Sequence, residues 1–183
     1  MTKTGEGMAL DSTPKAAQAR PASLAQAAAE VREQLGEMWL PAIYRERILK
    51  MRTRSHELHA AARRSGVEIQ HTLLGVELKT GRHRMLCPDL ATARYLAVFA
   101  RAGCSRVAVP YDISRISALA DELESAWHRM LLLVEHVAGG HAPGFRSRLR
   151  AALITEVRRE IEEAGAGTLI PQFNQNTRQR PKT

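Results

Sequence analysis

Two charged residues with the potential for metal chemistry lie two positions apart in the stretch Glu77-Leu78-Lys79. The residues around them favour a β-strand, and strand side chains alternate between the two faces of a sheet, so Glu77 and Lys79 share one face. A carboxylate there can ligate a divalent cation, while an ammonium positions an attacking water or stabilises charge on a phosphate. The spacing predicts a candidate catalytic pair. A second interpretation is an exposed cross-strand charge pair.

The Glu77-x-Lys79 element resembles that of the PD-(D/E)xK, or restriction-endonuclease-like, nucleases. A helix and then the apolar strand Val107 to Val109 follow it, an order similar to the core of that family, including the archaeal Holliday-junction resolvases. The resemblance implies that Glu77 is a metal ligand and Lys79 the catalytic lysine. Glu68 would be a second metal ligand in place of the family's aspartate, which the preceding strand lacks. The implied activity is a nuclease dependent on Mg²⁺ or Mn²⁺.

Basic residues are concentrated in three segments, which we predict to be a helix over 41–66, a hairpin tip and a C-terminal arm. Such cations can follow a phosphate backbone, since each neutralised phosphate releases counterions. The predicted nucleic-acid-binding residues are Arg45, Arg47, Lys50, Arg52, Arg54, Arg63 and Arg64 of the helix, Arg82, His83 and Arg84 of the hairpin tip beside Lys79, and Arg178, Arg180 and Lys182 of the arm.

These charges have an alternative role as a solvated surface. The predicted helix over 113–137 carries Asp121, Glu122 and Glu124, which could pair with the basic helix, and surface ion pairs contribute only ~0–1 kcal/mol. Three separate basic elements in one small chain nevertheless favour a polyanionic partner.

Composition agrees with such a partner. The formal net charge is +8 and the sequence pI is about 10.2, which favours association with polyanions. Aromatic residues make up only 4% of the chain, which argues against base stacking and favours duplex DNA over RNA. Two cysteines, Cys87 and Cys104, without a signal peptide or a long apolar run, predict a cytoplasmic protein with free thiols.

The pattern of apolar residues predicts one domain over 23–165, between a disordered tail over 1–22 and a basic extended arm over 166–183. Ser23 and Gln26 form a capping-box signature at the start of a first helix. The second helix, over 41–65, has its apolar stripe at Ile48, Met51, Ser55, Leu58 and Ala62.

A change of period after Gly66 predicts the strands. We expect a hairpin with its turn at Thr80-Gly81, then a helix capped by Asp89, then the apolar strand. A strand, a helix and a strand of these lengths predict a right-handed parallel crossover. The predicted fold class is therefore α+β and helix-rich, with a small mixed sheet of three to four strands, a hairpin plus a βαβ crossover, covered by long helices.

The predicted helix over 113–137 has apolar residues that alternate spacings of four and three, which predicts a seam that another helix covers. The cover is either a helix of this chain or a partner, and on the second basis we expect a homo-oligomer. The seam comprises Ile116, Ala120, Leu123, Trp127, Met130, Val134 and Val137.

The function predicted first is non-enzymatic binding of nucleic acid through its phosphate backbone, without a cofactor. The alternatives are the metal-dependent nuclease and an oligomeric scaffold for an acidic protein partner. The membrane is not an expected partner.

Overall fold

The computed structural model describes residues 23–58 and 66–167. In chain order the helices are α1 (Leu24–Leu35), α2 (Leu40–Ile43), α3 (Leu90–Ala102), α4 (Ile116–Val137) and α5 (Pro143–Ala164). The strands are β1 (Thr53–Glu57), β2 (Val67–Thr72), β3 (Gly75–Thr80), β4 (His83–Cys87) and β5 (Arg106–Pro110). The predicted helix-rich α+β class is confirmed. The predicted tail over 1–22 and arm residues 168–183 lie outside the described residues.

Helix ends follow the predicted capping residues closely. The Ser23 hydroxyl accepts a hydrogen bond from the Gln26 amide while the Gln26 side chain accepts one from the Ser23 amide, as in a capping box. Asp89 accepts from the Thr92 amide at the start of α3. Gly103 follows α3 with a left-handed φ of 78°, which only glycine adopts without strain.

The predicted second helix is wrong over residues 49–58, and its residues 59–65 lie outside the described residues. α2 passes into one π-helical turn, Tyr44–Ile48, and the chain then extends as β1. β1 pairs antiparallel with β5 from Thr53↔Pro110 to Glu57↔Arg106. This pairing provides hydrogen-bond partners for the amides of β5, which outweighs the weak helical preference of a polar segment.

The strands form two antiparallel sheets instead of one mixed sheet. β2, β3 and β4 form a three-stranded meander, whose hairpin loops are at Leu73-Leu74 and Gly81-Arg82, and β1 and β5 form a separate pair. The predicted βαβ crossover is therefore wrong, because β5 pairs with β1 and not with β4. The prediction of the crossover depended on assigning the segment of β1 to the second helix.

The seam of α4 is part of the core of this chain. All seven of its apolar residues are buried, with Trp127 only 4% exposed. Helices α1, α2, α3 and α5 pack against α4. The prediction of a homo-oligomer thereby loses the surface on which it was based.

Candidate nucleic-acid interface

The predicted catalytic pair lies on one face of the three-stranded sheet, where the side chain of Glu77 is 16% exposed and that of Lys79 is 32% exposed. Glu77 and Lys79 share a face of β3, with Glu68 opposite Lys79 and Arg84 of β4 on the other side. Lys79 Nζ lies 3.3 Å from Glu68 Oε2, and Arg84 Nη1 lies 3.8 Å from Glu77 Oε2. The geometry is that of cross-strand charge pairs, the second interpretation of the sequence.

Glu68 and Glu77 do not belong to a larger group of possible metal ligands among the described residues. Across residues 23–58 and 66–167, no three His, Cys, Asp or Glu side chains are grouped so that they could hold a metal ion. The nuclease interpretation, with Mg²⁺ or Mn²⁺ as its cofactor, stays a prediction.

Cations of the first predicted basic segment contact this protein's own carboxylates. Arg45 Nη1 lies 3.0 Å from Glu160 Oε2, and Arg47 Nε lies 3.2 Å from Glu122 Oε1. Lys50 pairs with Glu46, one helical turn earlier. These three cations are partly neutralised, which makes them weak candidates for a phosphate surface.

The remaining predicted cations of that segment differ in their surroundings. Arg52 lies over the ring of Tyr111, with its guanidinium carbon 5.0 Å from the ring centroid. Arg54 is half-buried in β1, and its Nε is buried without a hydrogen-bond partner among the described residues. The predicted binding residues Arg63, Arg64, Arg178, Arg180 and Lys182 lie outside the described residues.

A different group of arginines lines a cavity between three helices. This arginine groove, with a volume of about 810 Å³, lies between the C-terminal end of α3, the middle of α4 and one face of α5. Arg101 comes from α3, and Arg150 and Arg158 come from α5. Trp127 and Ile154 form part of its apolar surface.

The cations of the arginine groove form no ion pair with the described part of the protein. None of the described residues that line it is acidic. Within residues 23–58 and 66–167, no carboxylate lies within ion-pair distance of Arg101, Arg150 or Arg158. Three guanidiniums without acidic partners on one concave surface have the chemistry to bind an anion.

Gly103 leaves room for the side chain of Arg158 in the groove. A Cβ built on Gly103 would lie 3.2 Å from Arg158 Nη1, closer than an ordinary contact. The missing side chain therefore leaves room for the guanidinium beside the C-terminal end of α3. The carbonyl groups of a helix C-terminus carry partial negative charge and favour a cation there.

The predicted hairpin tip adjoins this groove. The Gly81 amide of the β3–β4 turn donates a hydrogen bond to the Gly66 carbonyl at 3.4 Å, and Gly66 lines the groove. Arg82 and His83 in and beside the turn are exposed. The structure therefore places the turn that carries Arg82 beside a residue of the groove lining, whose arginines the sequence analysis did not single out.

The groove residues of α5 follow a regular spacing in the sequence. They recur at spacings of three and one, so they form a stripe beside the apolar stripe that faces the core. Because this helix also carries several glutamates, the stripe is not distinct in a count of charges. Its residues are Ser147, Arg150, Ala151, Ile154, Thr155 and Arg158.

No protein-family model, curated protein or solved structure matches this chain significantly. The resemblance to PD-(D/E)xK nucleases therefore stays a prediction from the residues quoted above. Among the described helices, none combines the length and the apolar character that crossing a membrane requires.

Proposed function

We propose that this protein binds nucleic acid through the phosphate backbone, with the arginine groove and the adjoining β3–β4 turn as the contact surface. The observation that carries the proposal is the set of three arginines on one groove whose described lining residues include no carboxylate. Planar guanidiniums bind phosphate oxygens in pairs of parallel hydrogen bonds, so they suit a polyphosphate better than isolated ammonium groups do.

The net charge of the chain supports the same partner. A formal charge of +8 attracts polyanions over a distance and raises the rate of encounter. Arg63 and Arg64 precede the groove residue Gly66 by two to three positions in the sequence. The segment that links β1 to the groove is therefore basic in sequence as well.

A cytoplasmic location fits this function. Cys87 and Cys104 are both free and buried, as thiols are in a reducing compartment. The proposal needs no cofactor and no catalytic step. Adding Mg²⁺ or Mn²⁺ to the binding assay and looking for cleaved product tests the nuclease alternative on the same samples.

The test is a salt titration of binding with Arg150→Ala and with Arg148→Ala as its matched control. Both residues are exposed arginines of α5, and Arg148 is not among the groove residues. Removing one phosphate contact reduces the slope of log K against log salt by about 0.7–0.9. We expect Arg150→Ala to show that change and to weaken binding about tenfold, a loss of ~1.4 kcal/mol.

Fluorescence anisotropy of labelled oligonucleotides at four or more salt concentrations gives both quantities. Arg148→Ala is expected to keep the wild-type slope. Equal effects of the two substitutions would assign the binding to general positive charge and contradict a role for the groove. Binding that does not respond to salt would contradict the proposed function itself.

A further inference from the structure

We infer that the arginine groove takes an unpaired strand of nucleic acid, a single-stranded segment or end, and not the side of a duplex. This inference rests on the proposed function and deepens it, since it names the form of the ligand. It departs from the duplex preference that the low aromatic content predicts, because the groove has a size and an apolar surface that composition does not reveal.

The size of the groove favours a small ligand or a short segment of chain. Its volume is about 810 Å³. It falls within the range of about 300–1,000 Å³ typical of sites that enclose small ligands. One or two nucleotides of a flexible strand therefore match this volume.

The lining of the groove combines positive charge with an apolar surface. Arg101, Arg150 and Arg158 provide cations, while Ala151 and Ile154 provide an apolar surface in the same groove. A duplex buries its bases and presents sugars and phosphates along its sides, so the apolar surface would have no counterpart. An unpaired strand presents phosphates and bases together, and its bases are recognised by apolar contact and by stacking on guanidinium planes.

Trp127 acts as a wall of the groove and not as a stacking platform. It is 4% exposed and belongs to the buried seam of α4. A base that enters the groove would contact its edge and exclude the remaining water there. This position makes Trp127 a reporter of occupancy, because the emission of an indole responds to such changes.

The experiment uses the Trp39→Phe variant of the full chain, in which Trp127 is the one remaining tryptophan of two. The ligands are oligothymidylate, a blunt DNA duplex of the same length and thymidine monophosphate, each at one low salt concentration. We expect oligothymidylate to change the Trp127 emission and to bind at least tenfold more tightly than the other two. Arg101→Ala in this background should remove the emission change, and Arg148→Ala should keep it.

The outcomes separate the inference from the function on which it rests. A duplex that binds as tightly as oligothymidylate, without a change in Trp127 emission, overturns the inference and leaves nucleic-acid binding in place. Thymidine monophosphate binding as tightly as the oligomer also overturns it. Failure of every nucleic acid to bind overturns the proposed function.

Trp39 Nε1 donates a hydrogen bond to Glu160 at 3.3 Å, so Trp39→Phe removes a contact within the fold. Anisotropy of labelled strand and labelled duplex with the wild-type chain gives the same affinity ratio without that substitution. A ratio near one in the wild-type chain overturns the inference regardless of how the variant folds.

Discussion

At the scale of single residues, two buried tyrosines bind the backbone of β5 where a neighbouring strand is absent. The Tyr44 hydroxyl accepts from the Ala108 amide at 2.8 Å and donates to the Gly165 carbonyl at 2.7 Å. The Tyr95 hydroxyl donates to the Ala108 carbonyl at 2.6 Å. Because buried backbone groups need partners, the two phenols replace the missing strand. Both must stay protonated to donate these bonds.

This arrangement predicts a loss of stability at alkaline pH. Burial raises the pKa of Tyr44 to about 12, raises that of the nearby Cys104 thiol to about 12, and raises that of Tyr95 well above its ordinary value. In the unfolded chain the thiol loses its proton near pH 9.0 and the phenols near pH 10.0. The stabilisation is therefore complete below about pH 9 and decreases as pH rises towards 12.

Urea unfolding between pH 8 and 11 measures this dependence. Tyr44→Phe should lower the free energy of unfolding at pH 8 by about 1–3 kcal/mol, because it leaves the Ala108 amide unpaired. It should also reduce the further loss above pH 10. The exposed Tyr111 offers a control, since Tyr111→Phe should keep the wild-type pH dependence. A wild-type free energy that is constant up to pH 11 would contradict the account.

Ion pairs between residues far apart in the sequence explain why the sequence identified basic segments but not which of their cations have acidic partners. Arg47 and its partner Glu122 are 75 positions apart (122 − 47), and Arg45 and Glu160 are 115 apart (160 − 45). Pairing at that separation depends on the tertiary fold, which a count of local charges does not contain. Glu122 was among the acids predicted to meet the basic segment, whereas Asp121 and Glu124 pair with Arg94 instead.

At the scale of elements, local signals predicted the capped helices and the hairpin near Gly81, while tertiary pairing determined the conformation of β1. Leu58 and Ile48 are buried as the predicted stripe requires, but they occupy a strand end and a helical turn and not one helix. A short segment with polar residues between apolar ones is compatible with the period of a helix and with that of a strand. The antiparallel pairing with β5 favours the strand conformation of β1, and no local sequence pattern predicts that pairing.

The seam of α4 provides a test at this scale. Trp127→Glu would place a carboxylate in the core and beside the groove, so we expect a loss of more than about 3 kcal/mol in the free energy of unfolding. Leu132→Glu is the control on the same helix, since Leu132 is 70% exposed and should tolerate a charge. Circular dichroism and light scattering together measure the outcome. A folded Trp127→Glu chain with half the mass of the wild type would show instead that the seam is an interface between copies.

At the scale of the whole molecule, the distribution of positive charge defines the proposed function. The cations of 45–50 face carboxylates of this chain, whereas those of the arginine groove face none among the described residues. The sequence predicted a polyanionic partner from the net charge. In the folded protein, the expected contact surface is the junction of α3, α4 and α5 and not the basic segment over 41–66.

Two charge-matched triple variants test most directly that the position of the cations, and not the total charge, determines binding. One changes Arg101, Arg150 and Arg158 to Ala, and the other changes Arg45, Arg47 and Lys50 to Ala, so each lowers the formal net charge from +8 to +5 (8 − 3). The measurement is the affinity of each for the same oligothymidylate by anisotropy, after circular dichroism has shown that both are folded. We predict that the first variant loses at least a hundredfold in affinity and that the second stays within about tenfold of the wild type. Equal losses in the two variants, or a greater loss in the second, would contradict the account.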